Sequence, residues 1–147
     1  MMASSPKMYL TSAILSSKFT NGLEKVTVSA TAATGTINYD VSTQSVLYYT
    51  TNASANWTMN IRANSSTMLD AVLSTGQSVT VAYLASQGST AYYQSAFTID
   101  GTSVTPKWQG GSAPSSGNAS GIDVYSLTIL KTAANTYTVL GSQTQYA

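Results

Sequence analysis

From Lys25 onward, apolar and polar residues alternate almost one for one. Val26, Val28 and Ala30 are separated by Thr27 and Ser29, and Ile37, Tyr39 and Val41 by Asn38 and Asp40. In NWTMNIR, Trp57, Met59 and Ile61 share one side, and Asn56, Thr58, Asn60 and Arg62 the other. Successive side chains of a strand point to opposite faces, so a period of two describes strands with one face buried and one in water. Further strands are predicted in SVLYYT, QSVTVAYLA, STAYYQSAFTID, SVTPKW, IDVYSLTILK and TYTVLGSQ, with turn signals such as Asp100-Gly101 between them. Short strands so spaced predict an all-β chain, an antiparallel β-sandwich of jelly-roll-like form. No internal repeat stands out that would indicate a solenoid or propeller.

One segment departs from the pattern. In TMLDAVLSTG, Met68, Leu69, Val72 and Leu73 recur at helical spacing. Thr67 and Asp70 resemble a capping box with Asp in the Glu position, and Gly76 is placed to stop the helix. A short helix near 67–75 is predicted, closing one end of the core. The length of 147 residues suits one domain. The division predicted is an N-terminal arm or attachment segment over 1–23 and a β-sandwich domain over 24–147.

Charge narrows the functional classes. Charged residues are 7% of the chain, against roughly 25% in an ordinary soluble domain, and the formal net charge is +1. Self-repulsion therefore cannot keep copies apart, and a homo-oligomer or a place in a larger assembly is expected. Lys7, Lys18, Lys25, Arg62, Lys107 and Lys131 are scattered singly, so no basic stripe exists to neutralise phosphates and nucleic acid is not an expected partner. No apolar run approaches the ~20 residues of a membrane span. The mildly apolar patch from Met8 to Leu15 has no convincing cleavage site and reads as mature chain.

There is no His and no Cys, which leaves no expected metal or cofactor and restricts catalytic candidates to carboxylates, lysines and hydroxyls. Each acid has a structural explanation. Glu24 adjoins Lys25, Asp40 lies on a polar strand face, Asp70 caps the helix, Asp100 begins a turn, and Asp123 starts a strand after a loop. An enzyme is not expected. The sequons at Asn52, Asn56, Asn64 and Asn118 are what a chain rich in Asn, Ser and Thr produces by chance.

Two groups of aromatics are candidate contact residues. Tyr48-Tyr49 and Tyr92-Tyr93 each fall inside a predicted strand, so each pair directs one ring inward and one outward. Outward rings on an uncharged surface suit a protein interface, or cross-strand pairing on a wet face. Met8, Tyr9 and Leu10 are the corresponding candidates in the arm. Trp108 stands against QGGSAPSSGNASG, a run expected to hold no structure of its own. Its two readings are an aromatic plug at the end of the sandwich and a stacking platform for a glycan.

Ser29 to Arg62 and Thr90 to Gln145, above all the block AYYQSAFTIDGTSVTPKWQGG, resemble a β-rich module recurrent in structural proteins of tailed bacteriophages, especially marine phages including those of cyanobacteria. The resemblance covers roughly Glu24 to Gln145 and carries no catalytic or binding residue with it. It implies a non-enzymatic virion protein: a capsid decoration or cement protein, or a head or tail appendage. Implied partners are copies of itself, as a trimer, and other capsid or tail proteins. The alternative is a carbohydrate- or receptor-binding tip domain of a tail fibre, meeting a host surface glycan. Deleting residues 1–23 is expected to leave the β domain folded, by far-UV circular dichroism, while abolishing incorporation into particles.

Overall fold

The computed structural model describes residues 22–147. The predicted arm over 1–23, with Met8, Tyr9 and Leu10, thus lies outside the described residues except for Gly22 and Leu23. The chain is an all-β sandwich of two packed sheets with one short helix. Its strands are β1 (Val26–Ala32), β2 (Gly35–Asp40), β3 (Val46–Thr51), β4 (Trp57–Arg62), β5 (Ser78–Ser86), β6 (Gln94–Ile99), β7 (Thr102–Ser103), β8 (Lys107–Trp108), β9 (Ile122–Ala133) and β10 (Thr136–Tyr146). The larger sheet has the order β1-β3-β5-β9-β10-β8, and the smaller β2-β4-β6-β7.

Strand direction corrects the sequence reading. β1, β3 and β5 run parallel to one another, as do β2, β4 and β6. Among the strands of the described residues, antiparallel pairing is confined to β5-β9, β9-β10 and β6-β7. The sheets are therefore mixed, and the path is not the paired Greek keys of a jelly roll. The short connectors after β1, β2 and β3 cross from one sheet to the other. The chain returns to each sheet only after two crossings, pointing the way it began. Three coils stack in this manner, and the β9-β10 hairpin then extends the large sheet. Alternation reports that one face of a strand is buried and carries no information on partner direction.

Register places the buried face. Leu47, Val81, Tyr83, Ala85, Tyr125, Leu127, Ile129 and Val139 of the large sheet meet Ile37, Tyr39, Trp57, Met59, Ile61, Phe97 and Ile99 of the small one. β1 is the exception. Thr27 pairs with inward-facing Leu47, which turns Val26 and Val28 outward, 48% and 63% exposed. At this edge of the sheet the inward positions pass beyond the core, so polar residues serve there.

The predicted helix is shorter than its periodicity, spanning Leu69–Val72 (α1). The Thr67/Asp70 box does not form. Thr67 instead bridges to Asn64 through the backbone. The α1 N-terminus is capped from across the fold by Asp100, whose carboxylate accepts the N–H groups of Leu69 (2.7 Å) and Asp70 (3.1 Å). Asp100 sits at φ 50 in the Asp100-Gly101 turn between β6 and β7, so the turn presents its side chain to the helix. The Asp70 carboxylate is thereby free for another role. It pairs with Lys131 Nζ (2.7 Å), accepts the Asn135 N–H (2.7 Å) and accepts the Tyr137 hydroxyl (3.1 Å), fastening α1 to the β9-β10 hairpin. These contacts hold the Asp70 carboxyl below its ordinary 3.8, led by the Lys131 hydrogen bond. Asp100→Ala removes both acceptors at the helix start and is expected to lower stability by about 1–2 kcal/mol in urea unfolding. Thr67→Ala, at the cap position read from sequence, should change it by less than about 0.5 kcal/mol.

Candidate functional site at Trp108

The site lies at the open edge of the large sheet, where β8 is two residues long and pairs parallel with β10 through Leu140 and Gly141. Gly141 stands directly opposite Trp108. A Cβ built there would lie 2.9 Å from Cε3 and Cζ3 of the indole and 2.9 Å from Leu127 Cδ2. Glycine lets the indole and Leu127 approach the strand this closely. The Trp108 ring then meets Tyr125 edge-on, with centroids 6.4 Å apart and planes at 75°. Trp108 is half-buried and packs against the core, closing the side of the sandwich beside β10.

Trp108 also borders several surface clefts. One, of about 260 Å³, is lined by Phe97, Val104, Pro106, Pro114 and Gln94. Another, of about 470 Å³, is walled by Gln109, Ser115, Ser116, Gln143 and Gln145. Plug and platform are thus both compatible with one half-buried indole.

The Gly/Ser run beyond Trp108, expected to lack structure, is held by a buried polar cluster. Asp123 is fully buried at the start of β9. Its oxygens accept the Asn118 N–H (3.2 Å to each) and Gln87 Nε2 (2.8 Å). Gln87 in turn accepts the Tyr92 N–H (2.9 Å) and donates to the Tyr92 carbonyl (2.7 Å), so its amide has one orientation, with Nε2 toward Asp123. Gly117 lies against this cluster, where a Cβ would fall 2.2 Å from the Tyr92 carbonyl oxygen and 2.6 Å from Asp123 Oδ2. Asn118 Nδ2 donates to the Tyr146 carbonyl (2.9 Å), and Ser120 N–H to the Gly88 carbonyl (2.8 Å). The small residues of this run permit the close approach that these bonds require. Burial pushes the Asp123 carboxyl above its ordinary 3.8, opposed by the Asn118 and Gln87 hydrogen bonds.

The tyrosine pairs divide. Tyr48 faces outward on β3, between Val28 and Leu84 in the register, and Tyr49 packs inward against the core. Burial raises the Tyr49 hydroxyl pKa. Tyr92 and Tyr93 are not in a strand, which corrects the sequence reading: β6 begins at Gln94. The Gln87 side chain takes both Tyr92 backbone groups, and Asn56 Oδ1 accepts the Tyr93 N–H (3.1 Å), so side chains take over most of the ladder there, the Tyr93 carbonyl alone accepting a backbone N–H, that of Trp57. The Tyr92 ring rests on the core. Tyr48, Tyr49 and Trp108 belong to three different surroundings and form no joint site.

Gln87, Asp123 and Gln143 were not singled out from sequence. The signal for Asp123 was present: it shares the parity of Tyr125, Leu127 and Ile129 in β9, and so points inward. No family model matches the chain, and no curated protein or solved structure matches it.

Two outcomes are expected. Gly141→Ala should lift the indole, red-shifting tryptophan emission, with about 1–3 kcal/mol of destabilisation. Asp123 has the sign of a raised carboxyl: the folded state holds its proton at pH values where the unfolded chain has lost it, so its contribution is full below 3.8 and falls as pH rises through the folded pKa. Asp123→Asn keeps one oxygen for Gln87 Nε2 and turns its amide donor toward the Asn118 N–H, which both carboxylate oxygens now accept. The stability gap between wild type and Asp123→Asn should therefore widen as pH falls from neutral toward 4, measured by urea unfolding at each pH.

Proposed function

We propose that this chain is a non-enzymatic structural protein of a tailed-phage particle, assembling with copies of itself on the particle surface as a decoration, cement or appendage module. The observation that carries the reading is the outer face of the large sheet. By register, Val26 and Val28 of β1, Val46 and Tyr48 of β3, Ala82 and Leu84 of β5, Ile122, Val124 and Leu130 of β9, and Leu140 and Tyr146 of β10 point away from the core, interspersed with Ser and Thr. Among the described residues of these five strands, none facing outward is charged. Charges stand at the margins of this face: Lys107 beside Leu140 on the short edge strand β8, and Lys25 immediately before Val26. Val26, Val28, Leu140 and Tyr146 are each about half exposed or more.

The outer face of the small sheet makes the contrast. There Asn60 Nδ2 donates to Asn38 Oδ1 (2.8 Å), Thr98 Oγ1 donates to Asn60 Oδ1 (2.7 Å), and Arg62 pairs with Asp40 (2.6 Å). That face satisfies its own polar groups across β2, β4 and β6. The large sheet instead offers a row, Val28-Tyr48-Leu84-Val124, with no internal polar partner to favour water. At strand spacings of about 4.8 Å and rises of about 3.3 Å per residue, the five strands present roughly 700 Å², near the about 800 Å² per partner of a standard interface. A face without charge meets its own copy without like-charge repulsion.

Further support for a non-catalytic role comes from the carboxylates. Asp40, Asp70, Asp100 and Asp123 are each engaged in bonds that join elements of the fold. The phage setting and a trimeric assembly come from the resemblance of Glu24 to Gln145 to the virion module. Quantitative mass spectrometry of purified virions against the major capsid protein tests the setting, and absence from virions overturns it. For the interface, Tyr48→Lys should weaken self-association at least about tenfold in sedimentation equilibrium while leaving the unfolding transition unchanged. Unaltered association would remove this face from the assembly.

A further inference from the structure

We infer that the cleft beside Trp108 is a binding site for a neutral saccharide, with one sugar ring stacked on the indole. A pyranose presents an apolar C–H face and a rim of hydroxyls, so its site needs a flat aromatic surface bordered by uncharged donors and acceptors. Both are present. The indole is packed closely against Gly141 and Tyr125, so stacking on it loses little side-chain freedom. The walls of the larger cleft are amides and hydroxyls from two segments, Gln109 with Ser112–Ser116 and Ser142 with Gln143 and Gln145. No charged residue lines it, which suits a ligand without charge and disfavours a phosphate, sulfate or acidic sugar.

The Gln143 amide is already oriented for the task. Its Nε2 donates to the Ser116 carbonyl (3.0 Å) and to the Tyr125 hydroxyl (3.1 Å). Both N–H groups are thereby committed, and Oε1 is the atom left to accept a ligand hydroxyl. The same bond to Ser116 holds the serine segment beside β10, and the Asp123-Asn118 cluster holds its far end. The cleft is consequently formed before any ligand arrives. Gln109 and Gln145 are exposed at its rim and carry no bond on which the fold depends. This site is separate from the outer face of the large sheet, and its existence does not rest on the assembly proposed above.

The test follows the indole N–H resonances of ¹⁵N-labelled protein, in which Trp57 is a buried internal reference. The probes are maltohexaose, cellohexaose, xylohexaose and chitohexaose, each titrated to about 10 mM, a range that captures weak single-site binding. The expected result is a saturable shift of the Trp108 resonance with at least one probe, while Trp57 stays still and the affinity is the same at low and high salt. Gln109→Ala with Gln145→Ala should weaken that binding about fivefold, the effect of losing about one hydrogen bond, with an unchanged amide spectrum elsewhere. Three results would overturn the inference: no Trp108 shift with any of the four probes, equal shifts of both indoles, or an affinity indifferent to the double substitution.

Discussion

Tyr83 and Tyr125 stack face to face on neighbouring strands, 4.6 Å between centroids and 5° between planes, and the two sheets are joined at this pair. The Tyr83 hydroxyl donates to Gln94 Oε1 at the start of β6, and the Gln94 N–H donates to the Tyr125 hydroxyl (3.2 Å). Two aromatic rings of the large sheet therefore carry the polar groups that fix where the small sheet begins. Burial drives both tyrosine pKa values well up, so the rings remain neutral donors and acceptors across the ordinary pH range. Trp57 meets both rings edge-on from the small sheet, at 6.4 and 5.9 Å, and Trp108 meets Tyr125 from the other side. A displacement of this stack would move the core, the start of β6 and the floor of the cleft together.

The winding of the chain gives the stack its setting. Because consecutive strands from β1 to β6 lie in opposite sheets, each coil contributes one strand to each sheet and one residue to each row across it, and the two faces become chemically distinct. Asn38, Asn60 and Thr98 fall in one row by register and bond to one another, as do Asp40 and Arg62 in the next. Val28, Tyr48 and Leu84 fall in the matching row of the other sheet. A parallel ladder aligns equivalent positions of successive coils, so the same residue type recurs along a row. That regularity makes one face self-sufficient in water and leaves the other suited to cover by a partner.

How much of this was legible in the sequence depends on the range of the interaction. Trp57, Met59 and Ile61 announce a buried strand face because neighbours at i+2 report the same environment. The direction of β3 relative to β1 depends on a connector crossing between sheets, and nothing in VLYYTT records it. The coils are a repeat in space that is hard to see in sequence, since the segment containing α1 lengthens one coil and interrupts the period. Val26 and Val28 read as core residues because alternation gives parity without stating which parity is inward. The helix cap failed for a related reason. Thr67 and Asp70 satisfy a local rule, yet Asp100, distant in sequence, reaches the N–H groups first and releases Asp70 to Lys131. Trp108 as an aromatic at a strand end was visible; Gly141 beneath it was not, because a glycine inside a strand declares close approach without naming the visitor.

Scarcity of charge links the interior to the surface. Of the few acids in the chain, Asp123 holds the cleft loop, Asp100 starts the helix, Asp70 fastens that helix to the hairpin, and Asp40 pairs across β2 and β4. Two of the basic residues, Arg62 and Lys131, are taken by these acids. Asp70 and Asp123 respond to acid in opposite directions, since one carboxyl is held below its ordinary pKa and the other above it. Protonation that loosens the helix-hairpin fastening relieves the buried charge under the loop. Such offsetting limits the net pH dependence of a fold that spends its charges internally. The same allocation leaves the outward positions of β1, β3, β5, β9 and β10 and the larger Trp108 cleft without ionised groups, so contacts made at either depend chiefly on shape, apolar area and hydrogen bonding and vary little with salt.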